Sequence, residues 1–181
     1  MKNTLKFSFA VLLLVSLTAC LGTMGPSEKT EEFLNRYIKN DKAIMEELDT
    51  YLLKQDLTSV QRERYKNIIK DEYSNIEYEI LSENVSDALA TVEVNISVKD
   101  LFGASNKAEE DLVSDPTKFY TEGIYDASKF IDYKLDIMEN YKDKKNYTIF
   151  IKLNKNEDLW QINEIDDETL EKIHGIYDYT K

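Results

Sequence analysis

A general base that works near neutral pH, or a zinc ligand, is most often a histidine. This chain has one, His174, in "KIHGIY". With a single cysteine, Cys20, beside it, the chain is too poor in nitrogen and sulfur ligands for a metal set, and no metal centre is expected. Lying next to Gly175 near the end of an apolar repeat, His174 reads as a partly exposed surface residue. Asn154, Asn156 and Asp158 stand at positions 1, 3 and 5 of a calcium loop. Such a loop also needs Gly at position 6 and Glu at position 12. Leu159 and Ile165 occupy those places, so the stretch reads as a hairpin turn. Asp166, Asp167 and Glu168 sit where carboxylates cap a helix start and meet its dipole. There is no G-x-S-x-G, phosphate loop, dinucleotide fingerprint or H-E-x-x-H. No catalytic residue and no cofactor is therefore expected. Tyrosine is the exception to this sparse inventory, with twelve in 181 residues. A tyrosine has an apolar ring and a polar tip, which suits pockets and interfaces. Tyr37, Tyr51, Tyr78 and Tyr147 fall on apolar faces and, with Trp160, form the candidate pocket; ordinary semi-buried packing is the alternative.

Cys20 has a different chemistry. Lys2 and Lys6 precede about eleven mostly apolar residues at 7–17, too few for the roughly 20 that span a bilayer, and these flanks match a secretory signal. Leu17-Thr18-Ala19-Cys20 then resembles the bacterial lipobox, in which the cysteine sulfur receives a diacylglycerol and becomes the first residue after cleavage. The resemblance implies a signal peptide at 1–19, lipid attachment at Cys20 and palmitate in the anchor. It also accounts for a lone thiol in an exported chain, which has no partner for a disulfide. Several acyl chains hold a protein on a bilayer far better than one. Loss of residues 1–19 removes two lysines and no acid, making the net charge more negative than −12. Such a surface disfavours nucleic acid, whose binding rests on Lys and Arg against phosphate, and anionic head groups beyond the anchor itself.

The elements that must position these residues follow from periodicity. Residues 20–27, with Gly22, Gly25 and Pro26, read as a lipidated flexible tether, and 28–181 as one α+β domain. Phe33, Leu34, Tyr37 and Ile38 make one helical stripe; Ile44, Leu48, Tyr51 and Leu52 make a second. Thr58 and Gln61 spell a capping box ahead of a third helix carrying Tyr65, Ile68, Ile69 and Tyr73. The period then becomes two: Ile76, Tyr78 and Ile80 alternate with acids, and Ala90, Val92, Val94, Ile96 and Val98 with polar residues. These are strands with one buried and one wet face, joined by a loop at 84–87. A short helix is predicted before Pro116, and another over 127–141 after Asp126. Tyr147, Ile149, Ile151 and Leu153 alternate in a third strand, and "LWQINEI" gives a fourth beyond "NKNED". A last helix carries Leu170, Ile173, Ile176 and Tyr177.

Helices first, then an antiparallel sheet wrapping them, resembles the nuclear-transport-factor-like, or cystatin-like, cone fold. The helix–break–helix of residues 27–52, with Phe33-Leu34, Lys39-Asn40-Asp41 and Leu48, is similar to the opening of lipoprotein domains in that group. "YTIFIKLNKNEDLWQINEI" resembles the closing hairpin with its Trp, here Trp160. "KIHGIY" is similar to the C-terminal helix of small lipoproteins from low-GC Gram-positive bacteria. The resemblance implies about four curved strands holding the N-terminal helices in their concave face, with a helical insertion near 101–146. It further implies a site at the mouth between helices and sheet, and a homodimer as one arrangement. Enzymatic members carry an Asp–His or Asp–Tyr pair inside the cone, and no such pair is placed here.

The expectation is thus a membrane-anchored, extracytoplasmic, non-catalytic binding or envelope-associated module, meeting a small ligand or a protein partner. The alternatives are a protein–protein module using residues 101–125, or an enzyme with Asp, Glu and Tyr as acid and base.

Overall fold

The computed structural model describes residues 24–181. The signal peptide, Leu17, Thr18, Ala19, Cys20 and the start of the tether lie outside the described residues. Helix α1 (Pro26–Ile38) begins earlier than the tether's composition predicts. Pro26 supplies a preset φ at a first-turn position, where its missing N–H costs nothing, and the Glu28 carboxylate accepts from the Gly25 N–H at 2.8 Å. Asn40, in the left-handed region at φ 51°, ends the turn after α1. Asp41 then caps α2 (Lys42–Leu52) by accepting from the Ala43 N–H.

The predicted capping box opens α3 (Ser59–Ser74): Thr58 Oγ1 accepts from the Gln61 N–H at 3.2 Å, and Gln61 Oε1 from the Thr58 N–H at 3.0 Å. Strands β1 (Glu77–Ser86) and β2 (Leu89–Lys99) follow as an antiparallel pair. Their loop is tighter than expected: Asn84, Val85 and Ser86 are paired, and only Asp87 and Ala88 turn the chain, Asp87 at φ 53°.

The helical insertion leaves β2 and returns to its neighbour β5 (Lys144–Asn156), so it is one excursion between adjacent strands. It comprises α4 (Leu101–Ser114), a 3-10 turn (Pro116–Phe119), a small hairpin of β3 (Tyr120–Thr121) and β4 (Ile124–Tyr125), and α5 (Ala127–Asn140). Helix α4 packs on α5, and α5 packs on α3. Two side chains of α3 hold that seam. Arg64 reaches Asp136 and Glu139 of α5. Gln61, buried at 3% exposure, donates from Nε2 to the Ser128 carbonyl and hydroxyl and to Asp132 Oδ1, at 2.9–3.1 Å. One residue thus caps α3 and ties it to the start of α5. Gln61→Ala should cost on the order of 2–3 kcal/mol, a cap plus buried hydrogen bonds, read as a lower urea midpoint at unchanged m. Gln61→Glu keeps the cap but sets a second carboxylate against Asp132, and should be no better.

Strand β6 (Leu159–Ile162) completes an antiparallel sheet of order β1-β2-β5-β6 that does not close into a barrel. Asn154 and Asn156 are strand residues paired with Gln161 and Leu159, so the turn is only Glu157 and Asp158. The alternation holds in β2 and β5: Val92, Val94, Ile96, Ile149 and Ile151 are buried under α1 and α6, while Glu93, Asn95, Thr148 and Phe150 face the other way. In β1 it runs only as far as Ile80, where the register shifts before Ser82 and the rest of the strand is exposed. Helix α6 (Asp167–Ile173) is capped by Asp166, which accepts from the Thr169 N–H at 2.8 Å. It stops sooner than its apolar repeat predicts, because Gly175 takes φ 68° and turns Ile176 and Tyr177 out of the helix. The architecture is the expected α+β class. No helix among the described residues is long and apolar enough to cross a membrane.

Candidate functional site

Four-residue steps place Tyr65, Ile69 and Tyr73 on one face of α3. Tyr37 of α1 meets that face, its ring 5.2 Å from that of Tyr73 at 83°, an edge-to-face pair. Helix α2 contributes Leu48, Glu47 and Tyr51 on one side. Helix α6 and the residue after it close the other with Leu170, Glu171 and His174. Between them is a cavity of about 400 Å³, within the size range of small-molecule sites. Its walls are helices and the segment after α6, and no strand residue lines it. The expected mouth between helices and sheet is therefore not where the open space lies: Leu34, Ile68 and Ile173 fill the contact with the sheet as core.

Tyr37 and Tyr73 are 4% and 2% exposed. The hydroxyls of Tyr78, Tyr133 and Tyr179 have hydrogen-bond partners. Those of Tyr37, Tyr65 and Tyr73 have none among the described residues, nor are they sealed in the core, since all three side chains line the cavity. Open on the cavity and without a protein partner, these hydroxyls are free to hydrogen-bond a bound molecule. Burial, with the charge of Glu47 adding to it, pushes the Tyr37 phenol up to about 12, and burial with the neighbouring Tyr37 raises Tyr73 further still. Burial also pushes Tyr65 up to about 12. All three are neutral donors at any physiological pH.

His174 is not the surface residue its sequence context predicts. It is half-buried with its ring 5.6 Å from that of Tyr73 and 6.3 Å from that of Tyr37. Burial lowers it to about 4, so it is an uncharged imidazole at neutral pH. No carboxylate orients it by a hydrogen bond among the described residues. The carboxyl groups on the wall are those of Glu47, Asp167 and Glu171. No Lys or Arg lines the cavity. No group of three or more His, Cys, Asp and Glu side chains is placed to hold a metal among the described residues.

Of the five residues assigned to a pocket from sequence, Tyr37 and Tyr51 come together here. Tyr51, on the edge of its stripe, is 48% exposed and forms the rim instead of lying on a buried face. Tyr78, Tyr147 and Trp160 are on the sheet, away from the cavity. Tyr78 is half-buried and its hydroxyl accepts from Asn35 Nδ2 at 3.3 Å. Tyr147 packs edge-to-face on Tyr177 at 5.7 Å, with its hydroxyl sealed and unpartnered. Trp160 has the Lys155 ammonium 6.0 Å from its ring. The residues that sequence reasoning missed are Tyr65, Tyr73 and His174. The four-residue spacing on α3 was the available signal for the first two; for His174 there was none.

No family model and no curated protein matches the chain. Among solved structures it is similar to a candidate lipoprotein, ycdA, of Bacillus subtilis. The two are 18% identical over 86% of this chain and 48% of that one, with a TM-score of 0.45. This chain thus spans about half the length of that protein.

Proposed function

We propose that the protein is a lipid-anchored extracytoplasmic binding module whose domain is a variant of the nuclear-transport-factor-like cone. It holds a small ligand in the cavity between α1, α2, α3 and α6, without transforming it. The observation that carries the reading is the pair of buried tyrosines, Tyr37 and Tyr73, whose unpartnered hydroxyls open on that cavity. The anchor rests on Leu17-Thr18-Ala19-Cys20 closing a short apolar run. Cys20→Ala should abolish palmitate labelling and leave a precursor longer by residues 1–19; unchanged labelling and size would remove the anchor from the reading. Binding is tested by thermal shift of the detergent-purified full chain against panels of lipids, sugars, peptides, and small cations and anions. Stabilisation by one class is the expected result.

One observation favours a second reading, a protein–protein surface on residues 101–125. Val113, Tyr120, Ile124 and Tyr125 are exposed there, Val113 at 83% and Ile124 at 74%. Absence of any ligand shift would move the weight to this surface.

A further inference from the structure

The charges around the cavity are all of one sign. Glu47, Asp167 and Glu171 line it, none of their carboxylates makes an ion pair or hydrogen bond among the described residues, and no basic side chain lines it. His174 is neutral and adds no compensating charge. Some carboxylates elsewhere have cationic partners, as Glu139 has Arg64 and Asp49 has Lys66, and others, such as Glu63 and Glu79, have none among the described residues. What distinguishes the three at the cavity is that they share one wall with no basic side chain on it. Glu47 is near enough to Tyr37 and Tyr73 for its charge to disfavour both phenolates.

Four tyrosines line the same cavity, Tyr37, Tyr65 and Tyr73 on its walls and Tyr51 at its rim, contributed by three helices. An aromatic face carries negative electrostatic potential and attracts a cation, most strongly one that has shed its water. Ammonium groups bearing alkyl substituents lose water readily and expose a wide, softly charged surface to such rings. A neutral apolar ligand would gain nothing from the acids, and an anion would meet repulsion without a single cation to answer it. A bare metal ion would lack a convergent carboxylate set.

We infer that the cavity is an aromatic cage for an alkylated ammonium ion, with Tyr37, Tyr51, Tyr65 and Tyr73 as its walls and Glu47, Asp167 and Glu171 as its counter-charge. This rests on the cavity being a ligand site and names the ligand class. The unpartnered hydroxyls of Tyr37 and Tyr73 then serve a polar group on the same molecule, a hydroxyl or ester oxygen beside the ammonium. A cavity of about 400 Å³ admits a molecule of that size with room to spare.

The test titrates the full chain, in a maltoside detergent that carries no ammonium group, with choline, tetramethylammonium, 3,3-dimethylbutan-1-ol and 3,3-dimethylbutyrate. The alcohol has the shape of choline without its charge, and the butyrate reverses the charge. Choline should bind at least tenfold more tightly than the alcohol, and the butyrate should not bind. Glu47→Gln, at an exposed position where folding is not at stake, should weaken choline at least threefold and leave the alcohol unchanged. Tyr65→Leu should weaken choline, whereas Tyr65→Phe, which keeps the ring, should not. A phosphatidylcholine with short chains, used below its micelle concentration, separates the two sources of such a cation: tighter binding than choline points to a lipid head group, weaker to a free solute. If the alcohol binds as well as choline, the cage is overturned and the ligand site stands. If none of these four probes binds and another class does, the result is the same. If no class of ligand shifts the melting temperature, the site itself fails, and the cage with it.

Discussion

Gly175→Ala should destabilise the fold by about 3–4 kcal/mol, out of the roughly 5–15 kcal/mol that hold a typical domain together. Two costs combine. At φ 68° an L-residue pays about 1–2 kcal/mol for the left-handed backbone. A Cβ there would also stand 2.2 Å from the Lys99 carbonyl oxygen, a backbone atom with no rotamer to escape into. Relieving that clash moves the chain away from the end of β2 and lengthens the hydrogen bond from the Phe102 N–H to the Gly175 carbonyl, now 2.9 Å. Asparagine tolerates the left-handed region far better than alanine, yet it carries the same Cβ. Gly175→Asn should therefore recover little of the loss. Gly123 is the contrast: its φ is 83° but nothing lies within 4 Å of an added Cβ. Gly123→Asn should be nearly neutral. Urea midpoints of the four chains, at constant m, decide between crowding and backbone conformation; equal losses at both glycines would show that conformation alone matters.

Glu72 and His174 should oppose each other across mildly acidic pH. Glu72 is 1% exposed at the end of α3, with Oε2 accepting from the Lys99 N–H at 2.9 Å and Oε1 unpartnered. Burial raises it from 4.5 to about 7, against the lowering effect of that N–H and of the Lys99 charge. Between pH 4.5 and 7 the unfolded chain releases this proton and the folded chain keeps it, so stability falls as pH rises. Over the whole window the fall is on the order of 3 kcal/mol. His174 runs the other way. Its folded value of about 4 lies below the ordinary 6.5, so the unfolded chain takes up a proton first on acidification and stability falls as pH drops through 6.5 towards 4. Where the windows overlap, about pH 4.5 to 6.5, the two slopes cancel and wild type should be nearly flat. Glu72→Gln keeps an acceptor for Lys99 and should expose the histidine's slope, gaining stability from pH 4 to 6.5. His174→Phe keeps a ring against Tyr73 and should expose the glutamate's, losing stability from pH 4.5 to 7. The helix-capping carboxylates of Asp41, Asp126 and Asp166, held below the usual range chiefly by backbone N–H groups, titrate beneath this window. Parallel profiles for Glu72→Gln and wild type would end the argument for Glu72.

The element types were written locally and could be read locally. Val92, Val94, Ile96 and Val98 announce their strand by period two, and Thr58 with Gln61 announces its helix by a bond pattern closed within four residues. The cavity was not legible in this way, because its parts meet only after the chain returns. His174 reaches Tyr37 and Tyr73 through a turn whose need for glycine is set by the Lys99 carbonyl, 76 residues earlier in the chain. Glu72 looks like one more solvated acid beside Asp71 until the end of β2 arrives to cover it. Tyr51 fits its helical stripe, but a stripe has edges, and periodicity does not say which edge faces a partner. The insertion over 101–146 showed its helices in sequence and hid its seam, since Gln61 gives no sign that a capping residue will also grip α5.

The early start of α1 at Pro26 fixes a leash. With the lipid on Cys20, only five residues separate anchor and helix, and an extended chain of that length reaches about 20 Å. Tyr37 lies eleven residues further on, about 16 Å along α1 at 1.5 Å per residue. On the proposed anchoring, the cavity would stay within about 40 Å of the bilayer surface. Capture would then be a problem in a thin layer rather than in a volume, where a ligand's concentration is set by what the membrane surface retains. Under that proposal the protein would sample what passes along the surface, where a weak affinity is enough.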